Sequence, residues 1–308
     1  MNWKVIVNPV AGRGYSRRIW PRLDEELKRL NVRFTPYFTR CAGDGVAAAR
    51  VAAAEGFDGV VAVGGDGTVA EVVNGLAAGE GRPDSPLVLG VLPVGTGNDF
   101  VRSLAIPADP VAGCRLLVEG IARRVDVGLV DGRRFVNVAG VGFDAEVARK
   151  SNTGVRFLRG SAAYIYGILT TFLTFVPAPV RVEVDGVTCW EDQAMMVAVA
   201  NGRYYAGGLF ISPPSRIDDG RLDVCVIEGM GRVEFLRAFR KVFDGRHLEL
   251  PKVHVFSGQT VRISQPAAVR QAYIVHADGE ILGPLPQQFS LAPGALRVQI
   301  PEGATREK

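Results

Sequence analysis

The residues best placed to do chemistry in this chain are Gly64-Gly65-Asp66-Gly67-Thr68. They follow an apolar run, Val60-Val61-Ala62-Val63, that reads as a buried strand, and they open a stretch in which Val69, Val72, Val73 and Leu76 recur at helical spacing. Backbone N–H groups at such a junction point outward, and the helix dipole favours an anion there. Glycine lets the chain approach phosphate oxygens without a Cβ in the way. Thr68 and Glu71 also have the spacing of a capping box, so part of the pattern serves to start the helix. That leaves Asp66 unexplained. A carboxylate among anion-attracting amides calls for a cation, and Mg²⁺ bridging to nucleotide phosphates would supply one.

Two more clusters sit at equivalent places. Gly95-Thr96-Gly97-Asn98-Asp99 follows a predicted strand at 87–92, and Asn8-Pro9-Val10-Ala11-Gly12-Arg13-Gly14 follows Val5-Ile6-Val7. Glycine-bearing turns at the C-terminal ends of strands converge on the crevice where open α/β sheets bind ligands. Each turn alone has a steric explanation, but three together favour a nucleotide site. Neither GxxxxGK[ST] nor GxGxxG stands at these junctions, which excludes an ordinary P-loop or dinucleotide fold.

The elements that must hold these turns alternate strand and helix through residues 4–126. Ile19, Leu23, Leu27 and Leu30 mark a helix, 33–39 a strand, 46–55 an Ala-rich helix and 110–119 another helix. Such alternation predicts a parallel sheet covered on both faces. From about Val127 the texture changes to short β-rich runs punctuated by Asp131-Gly132, Asp185-Gly186, Asp219-Gly220 and Asp278-Gly279, each read as a hairpin turn. Helices at 162–175 and 233–243 interrupt that half. The expected fold is an α/β N-terminal nucleotide-binding domain plus a mostly antiparallel β-sandwich C-terminal domain, with the boundary at 127/128.

Length and composition agree with two domains. The chain has 308 residues, 47% hydrophobic and 22% charged, so it can bury a real core. A net charge of +4, with no dense basic stripe, argues against a nucleic-acid partner. Cys41, Cys114, Cys189 and Cys225 are far apart and form no CxxC pair, which suits a reducing cytoplasm. The apolar run after Met1 is too short for a secretory signal, and residues 160–176 fall short of the ~20 needed to span a bilayer, reading instead as a buried or interfacial helix. His247, His254 and His276 lack metal-ligand spacing, with His276 either a second support for its neighbours or a plain strand position. Ser212 and Ser215 have no visible triad. Neither a metallohydrolase nor a serine hydrolase is supported.

With these residues in hand, the chain resembles the diacylglycerol kinase catalytic domain, in the superfamily of bacterial lipid kinases and sphingosine kinases. The likeness rests on GGDGT at 64–68, GTGND at 95–99 and NPVAG at 8–12. It extends through Ile211-Ser212-Pro213-Pro214, Asp218-Asp219-Gly220-Arg221-Leu222-Asp223-Val224 and His276-Ala277-Asp278-Gly279-Glu280. GGDGT alone is shared with NAD kinases, and the later segments make the lipid-kinase assignment specific. The resemblance implies ATP in a cleft, a lipid held by the β-rich domain at 128–289, and a last strand that returns residues from about 290–308 to the N-terminal domain. It implies that Asn8, Pro9, Gly12, Thr39, Gly65, Asp66, Gly67, Thr68, Glu71, Thr96, Gly97 and Asn98 serve the nucleotide. Asp66 and Asp99, with Asp126, would hold the catalytic Mg²⁺ directly or through water. Asp278 or Glu280 would accept the proton of the lipid hydroxyl as it attacks the γ-phosphate, where residue pattern alone sees only a hairpin turn. Asp219, with the carbonyls of Arg216 and Arg221, is similar to a structural metal loop for Mg²⁺ or Ca²⁺, with an Asx turn as the alternative.

A lipid kinase must reach a substrate in a bilayer, so peripheral contact with the inner face of the membrane is expected. Arg149, Lys150, Arg156 and Arg159 form an acid-free basic stretch before the apolar helix. Arg232, Arg237, Arg240 and Lys241 lie beside Leu236, Phe239 and Phe243. A shared sheet edge would allow a homodimer. The rival readings are an NAD kinase, against which GTGND and DDGRLDV weigh, and a non-catalytic lipid-binding protein, which would have no use for Asp66, Asp99, Asp278 and Glu280.

Overall fold

The computed structural model describes residues 1–76, 87–153, 161–267, 269 and 272–304. The chain forms two compact units, Met1–Val127 with Ala292–Lys308, and Gly128–Leu291.

In the first unit, β1 (Asn2–Val7), α1 (Ala11–Arg29), β2 (Arg33–Phe38), α2 (Asp44–Val51), β3 (Gly59–Gly64), α3 (Asp66–Leu76), β4 (Val88–Pro93), α4 (Asp99–Ser103), α5 (Pro110–Glu119) and the start of β5 (Ile121–Val130) follow one another. The strands align in the order β2-β1-β3-β4, all parallel. β3 and β4 are buried along their whole length, which is why they read as continuous apolar runs rather than alternating ones. Leu23 and Leu27 of α1 and Cys114 and Leu117 of α5 pack on Val5, Val7, Val61, Val63 and Leu92. α5 starts on Asp109, whose carboxylate accepts from the amides of Val111 and Ala112, with Pro110 at its first turn.

The second unit contains β6 (Arg133–Phe135), β7 (Val138–Gly142), α6 (Phe143–Thr153), α7 (Ser161–Thr174), β8 (Ala178–Val184), β9 (Val187–Ala200), β10 (Leu222–Glu228), α8 (Arg232–Val242), β11 (Val253–Gly258), β12 (Thr260–Ser264), β13 (Ile274–Ala277), β14 (Glu280–Pro284) and the start of β15 (Gln287–Ile300). These strands pair antiparallel as β14-β13-β7-β9-β8-β12-β15. The long β9 also pairs with β10, and β10 with β11. One core gathers Val182, Val197, Val224, Ile263 and Phe289. A second, with Met196, Ile211 and Cys225, is roofed by Phe143 and Phe235 from α6 and α8. The far end of β15 pairs parallel with β4 in the first unit, Arg297 opposite Val88. The architecture is therefore a parallel α/β domain and a mostly antiparallel β-sandwich domain.

Three of the four Asp-Gly pairs are hairpin turns with positive φ at both residues, Asp131-Gly132, Asp185-Gly186 and Asp278-Gly279, the type I′ geometry that matches strand twist. Asp219-Gly220 is a correction. It leads into β10 without joining two strands, and Asp219 Oδ1 accepts from the Arg221 amide at 3.1 Å as in an Asx turn. A second correction is α6, a third helix in this half. Gly142, at φ +92, turns the chain straight from β7 into it, and the apolar Phe143 and Val147 lie one turn apart, too short a stripe to mark a helix in sequence. Among the described residues no helix is long and apolar enough to cross a membrane. Burial pushes the Cys114 and Cys225 thiols up to about 12, which makes them packing residues and not nucleophiles.

Candidate functional site

The three glycine turns of the first unit are bonded into one structure. The Asn8 amide donates to the Val63 carbonyl, and the Val94 amide to the Gly64 carbonyl. Asn8 Nδ2 donates to Thr68 Oγ1 at 3.0 Å, and Asn8 Oδ1 accepts from the Val10 amide at 3.2 Å. Thr39 closes the same edge through its amide to the Val7 carbonyl. Gly12, at φ +57, packs against the Val94 carbonyl, where a Cβ would stand 2.1 Å from the oxygen. Pro9 precedes that turn, and Thr96, exposed, and Gly97, half-buried, sit at the crest of the third.

The glycines of GGDGT divide into two kinds. A Cβ on Gly64 would stand 2.2 Å from Thr68 Oγ1, and one on Gly65 3.1 Å from the Cα of Gly95, whose own Cβ would be 2.4 Å from the Cα of Gly65. Close packing of two loops accounts for these. Gly67 is different: it is exposed, lies in the first turn of α3 without positive φ, and a Cβ there would meet no atom of the described residues. None of the described residues demands a glycine at this position.

Asp66 is where the electrostatic argument from sequence is corrected. Its Oδ2 accepts from the Asn98 amide at 2.7 Å, and its Oδ1 from the amides of Asp99 at 2.8 Å and Phe100 at 3.3 Å. The carboxylate caps α4 across the loop gap, so no cation is needed to explain it. The capping-box reading is also corrected. α3 begins at Asp66, and the Glu71 carboxylate accepts from the amides of Gly43 and Gly45, binding the start of α2. Asp99 is buried near the same turn, and Asn98 Oδ1 is buried without a hydrogen-bond partner. Asp126 Oδ1 accepts from the Gly294 amide at 2.7 Å. Among the described residues no group of three His, Cys, Asp or Glu could hold a metal ion by itself. A site of this kind fits Mg²⁺ held by one or two carboxylates and otherwise by phosphates. Replacing Asp66 by Ala strands three amides, and we expect a loss of about 1–3 kcal/mol of stability as well as of function, read by urea unfolding.

In the second unit, the two carboxylates that sequence left unranked are held differently. Asp278 Oδ2 accepts from the Val136 amide at 2.8 Å, its Oδ1 from the amides of Asn137 at 3.1 Å and Val138 at 3.2 Å, and its own amide donates to the Val138 carbonyl. Glu280 is exposed and, among the described residues, its carboxylate pairs with the Arg133 guanidinium, at 2.6 Å from Nη2 to Oε1. Arg133 was not singled out in the sequence, where it is one more basic residue after a turn. In the segment of Asp219, Arg216 lies beside Asp218, 3.8 Å from Nε to Oδ1.

Beneath α6 and α8 lies an apolar cavity of about 40 Å³, lined by Phe143, Val147, Met196, Phe235 and Phe239, with Asp144 and His247 its polar members. Burial pushes His247 below the ordinary imidazole range, although the Ile211 carbonyl bonded to it works in the other direction.

The two halves match known families separately. Residues 2–130 match the diacylglycerol kinase catalytic domain, and residues 137–300 the YegS C-terminal NAD kinase beta sandwich-like domain. A diacylglycerol kinase of Bacillus subtilis is 31% identical over 93% of this chain and 92% of its own. One of Mycobacterium tuberculosis is 30% identical over 96% and 94%. A crystal structure of a diacylglycerol kinase from Bacillus anthracis superposes with a TM-score of 0.76 at 25% identity, covering 99% of this chain and 98% of that one. An NAD kinase from Archaeoglobus fulgidus, crystallised with ATP, shares the fold at a TM-score of 0.54 and 16% identity.

Proposed function

Since the chain belongs to the diacylglycerol kinase family, we propose that it transfers the γ-phosphoryl group of ATP to the hydroxyl of a membrane lipid, with diacylglycerol as substrate and phosphatidic acid as product. Membership makes it a phosphotransferase with an alcohol acceptor. The observation that carries the nucleotide site is Gly67. A helix-weakening residue stands at a helix start where no described residue crowds the missing Cβ, which leaves room for a ligand to approach the backbone.

In this reading the turns at 8–12, 65–68 and 96–98 receive the ATP phosphates. Asp66 and Asp99 would hold Mg²⁺ directly or through water, and the ion would supply neutralisation of charge on the phosphates. The lipid hydroxyl oxygen attacks the γ-phosphorus in line, its bond to ADP breaks, and Glu280 takes the hydroxyl proton. Glu280 is preferred over Asp278 because every oxygen of Asp278 already accepts backbone hydrogens, while Glu280 gives up only one exposed ion pair.

Transfer of labelled γ-phosphate from ATP to lipids in mixed micelles, with NAD as a competing soluble substrate, tests the reading. Label on diacylglycerol is the expected result. Label on another lipid would revise the substrate alone, and label on NAD, or on nothing offered, would overturn the proposal.

For the membrane partner we propose α8. Val233, Leu236 and Phe243 are 64%, 52% and 59% exposed, beside the exposed Arg237 and Arg240. Glu234 on the same helix is paired with Lys252. The alternative stretch is weaker, because Arg149 is bound to Glu146 one turn earlier and Lys150 to Thr174 Oγ1. Arg156 and Arg159 lie outside the described residues. At about 1 kcal/mol per charge near an anionic surface, Arg237→Ala with Arg240→Ala weakens binding to phosphatidylglycerol vesicles roughly 30-fold. Unchanged cosedimentation would remove α8 as the docking face.

A further inference from the structure

The turn that carries Asp278 and Glu280 is held from a side that neither of them explains. His276 is 4% exposed and Asp144 3% exposed, and His276 Nε2 lies 3.3 Å from Asp144 Oδ2. On the other side of the ring, the Gly279 amide donates to His276 Nδ1 at 3.3 Å. These contacts fix the tautomer. Nδ1 must be the acceptor, so Nε2 carries the hydrogen and gives it to the carboxylate. Asp144 is itself fixed, because its Oδ1 accepts from the Ala145 amide at 2.8 Å.

Space for the couple is built into the neighbouring strand. Gly140 faces His276 across the β7–β13 pairing, and a Cβ there would stand 1.7 Å from Asp144 Oδ2 and 2.5 Å from His276 Nε2. A buried carboxylate on an apolar cavity wall is a poor choice for stability alone, since apolar groups of similar volume usually serve as well or better. The couple therefore calls for a purpose other than packing.

We infer that His276 is a positioning residue for phosphoryl transfer, holding the 278–280 turn through Gly279 in a tautomer selected by Asp144. The inference rests on the reading of this turn as the proton-accepting one. Asp278 anchors one end of the turn to the amides at 136–138, and His276 fixes its middle. Glu280, the next residue, inherits its direction from both. Groups that orient a reacting side chain act on the rate of chemistry more than on binding, because misplacement costs most in the transition state.

Two substitutions separate the ring nitrogens. In His276→Asn the amide oxygen can take the place of Nδ1 and keep the bond to Gly279. In His276→Gln the amide reaches the place of Nε2, and the bond from the Gly279 amide to residue 276 is lost. Asp144→Asn is isosteric but has one acceptor oxygen for two donors, Ala145 N–H and His276 Nε2–H. It pushes the imidazole toward the Nδ1–H form, which faces the Gly279 N–H donor to donor.

The expected result is a kcat about 30-fold lower in His276→Gln and in Asp144→Asn. KM for ATP and for the lipid should stay within a few-fold, and His276→Asn should return to within a few-fold of the parent. With only three histidines in the chain, ¹⁵N spectra of labelled protein should show His276 as Nε2–H in the parent and altered in Asp144→Asn. Equal impairment of the Asn and Gln variants, losses confined to KM, or a His276 protonated at Nδ1 in the parent would overturn the inference. Should one variant fail to fold, the tautomer in the parent still decides. Failure of the proton-acceptor reading is seen separately, as normal turnover in Glu280→Gln beside an intact difference between the two His276 variants.

Discussion

Replacing Glu280 by Gln is expected to lower kcat about 10²–10⁴-fold, the usual range for a general base in proton transfer, with little change in KM and in stability. The reasons are local. Glu280 begins β14 on the exposed side of a type I′ turn, and its partner among the described residues is Arg133, whose side chain is nearly half exposed. An ion pair as open as this contributes little to folding, so the isosteric amide leaves the turn in place and removes only the ability to take a proton. Asp278→Asn should behave differently. One of its two side-chain atoms becomes a donor facing backbone N–H groups, which costs about 1–3 kcal/mol and blurs any effect on rate with partial unfolding. Steady-state kinetics and urea unfolding on both variants distinguish the roles. Parent-like kcat in Glu280→Gln, with loss confined to Asp278→Asn at unchanged stability, would reverse the ranking.

This contrast marks what was legible in the sequence. Val60 to Val63 and the apolar residues at 69, 72, 73 and 76 fixed a strand and a helix because each pattern is strong and local. The type I′ turns were visible because few residues other than Asp, Asn and Gly tolerate positive φ at both central positions. The partners of the carboxylates were not visible. Asp66 bonds amides 32 to 34 residues away, and Asp278 bonds amides 140 to 142 residues away. Backbone amides carry no residue signature, so the sequence cannot show that a side chain also caps a distant loop. Glu71 misled for the same reason, since its spacing from Thr68 matched a local capping motif while its oxygens bind α2. Helix α6 escaped because Gly142 and the short apolar stripe that follows it give no long periodic run. The family resemblance supplied the assignment of the catalytic segment, which neither spacing nor composition could have ranked.

Gly67→Ala is expected to separate the fold from the site in the opposite way, with activity falling while stability holds or rises. Alanine is favoured over glycine in a helix by about 0.5–1 kcal/mol, less in the first turn, and the Cβ would meet no atom of the described residues. Unfolding should therefore shift to slightly higher urea. If phosphate oxygens come against the Cα of Gly67, the added methyl displaces them by about the radius of the group, and misplacement on the order of 1 Å can cost about 10²-fold in kcat/KM for ATP. Direct titration with ADP should show the weakening without any lipid present, which ties the effect to the nucleotide. Gly65→Ala is the contrasting case, because its Cβ would press on Gly95 and disturb two loops at once, so lost activity there would accompany lost stability. A Gly67→Ala enzyme that binds ADP and turns over like the parent would mean that the open start of α3 does not face phosphate, and the nucleotide site would have to be sought on another edge of the same sheet.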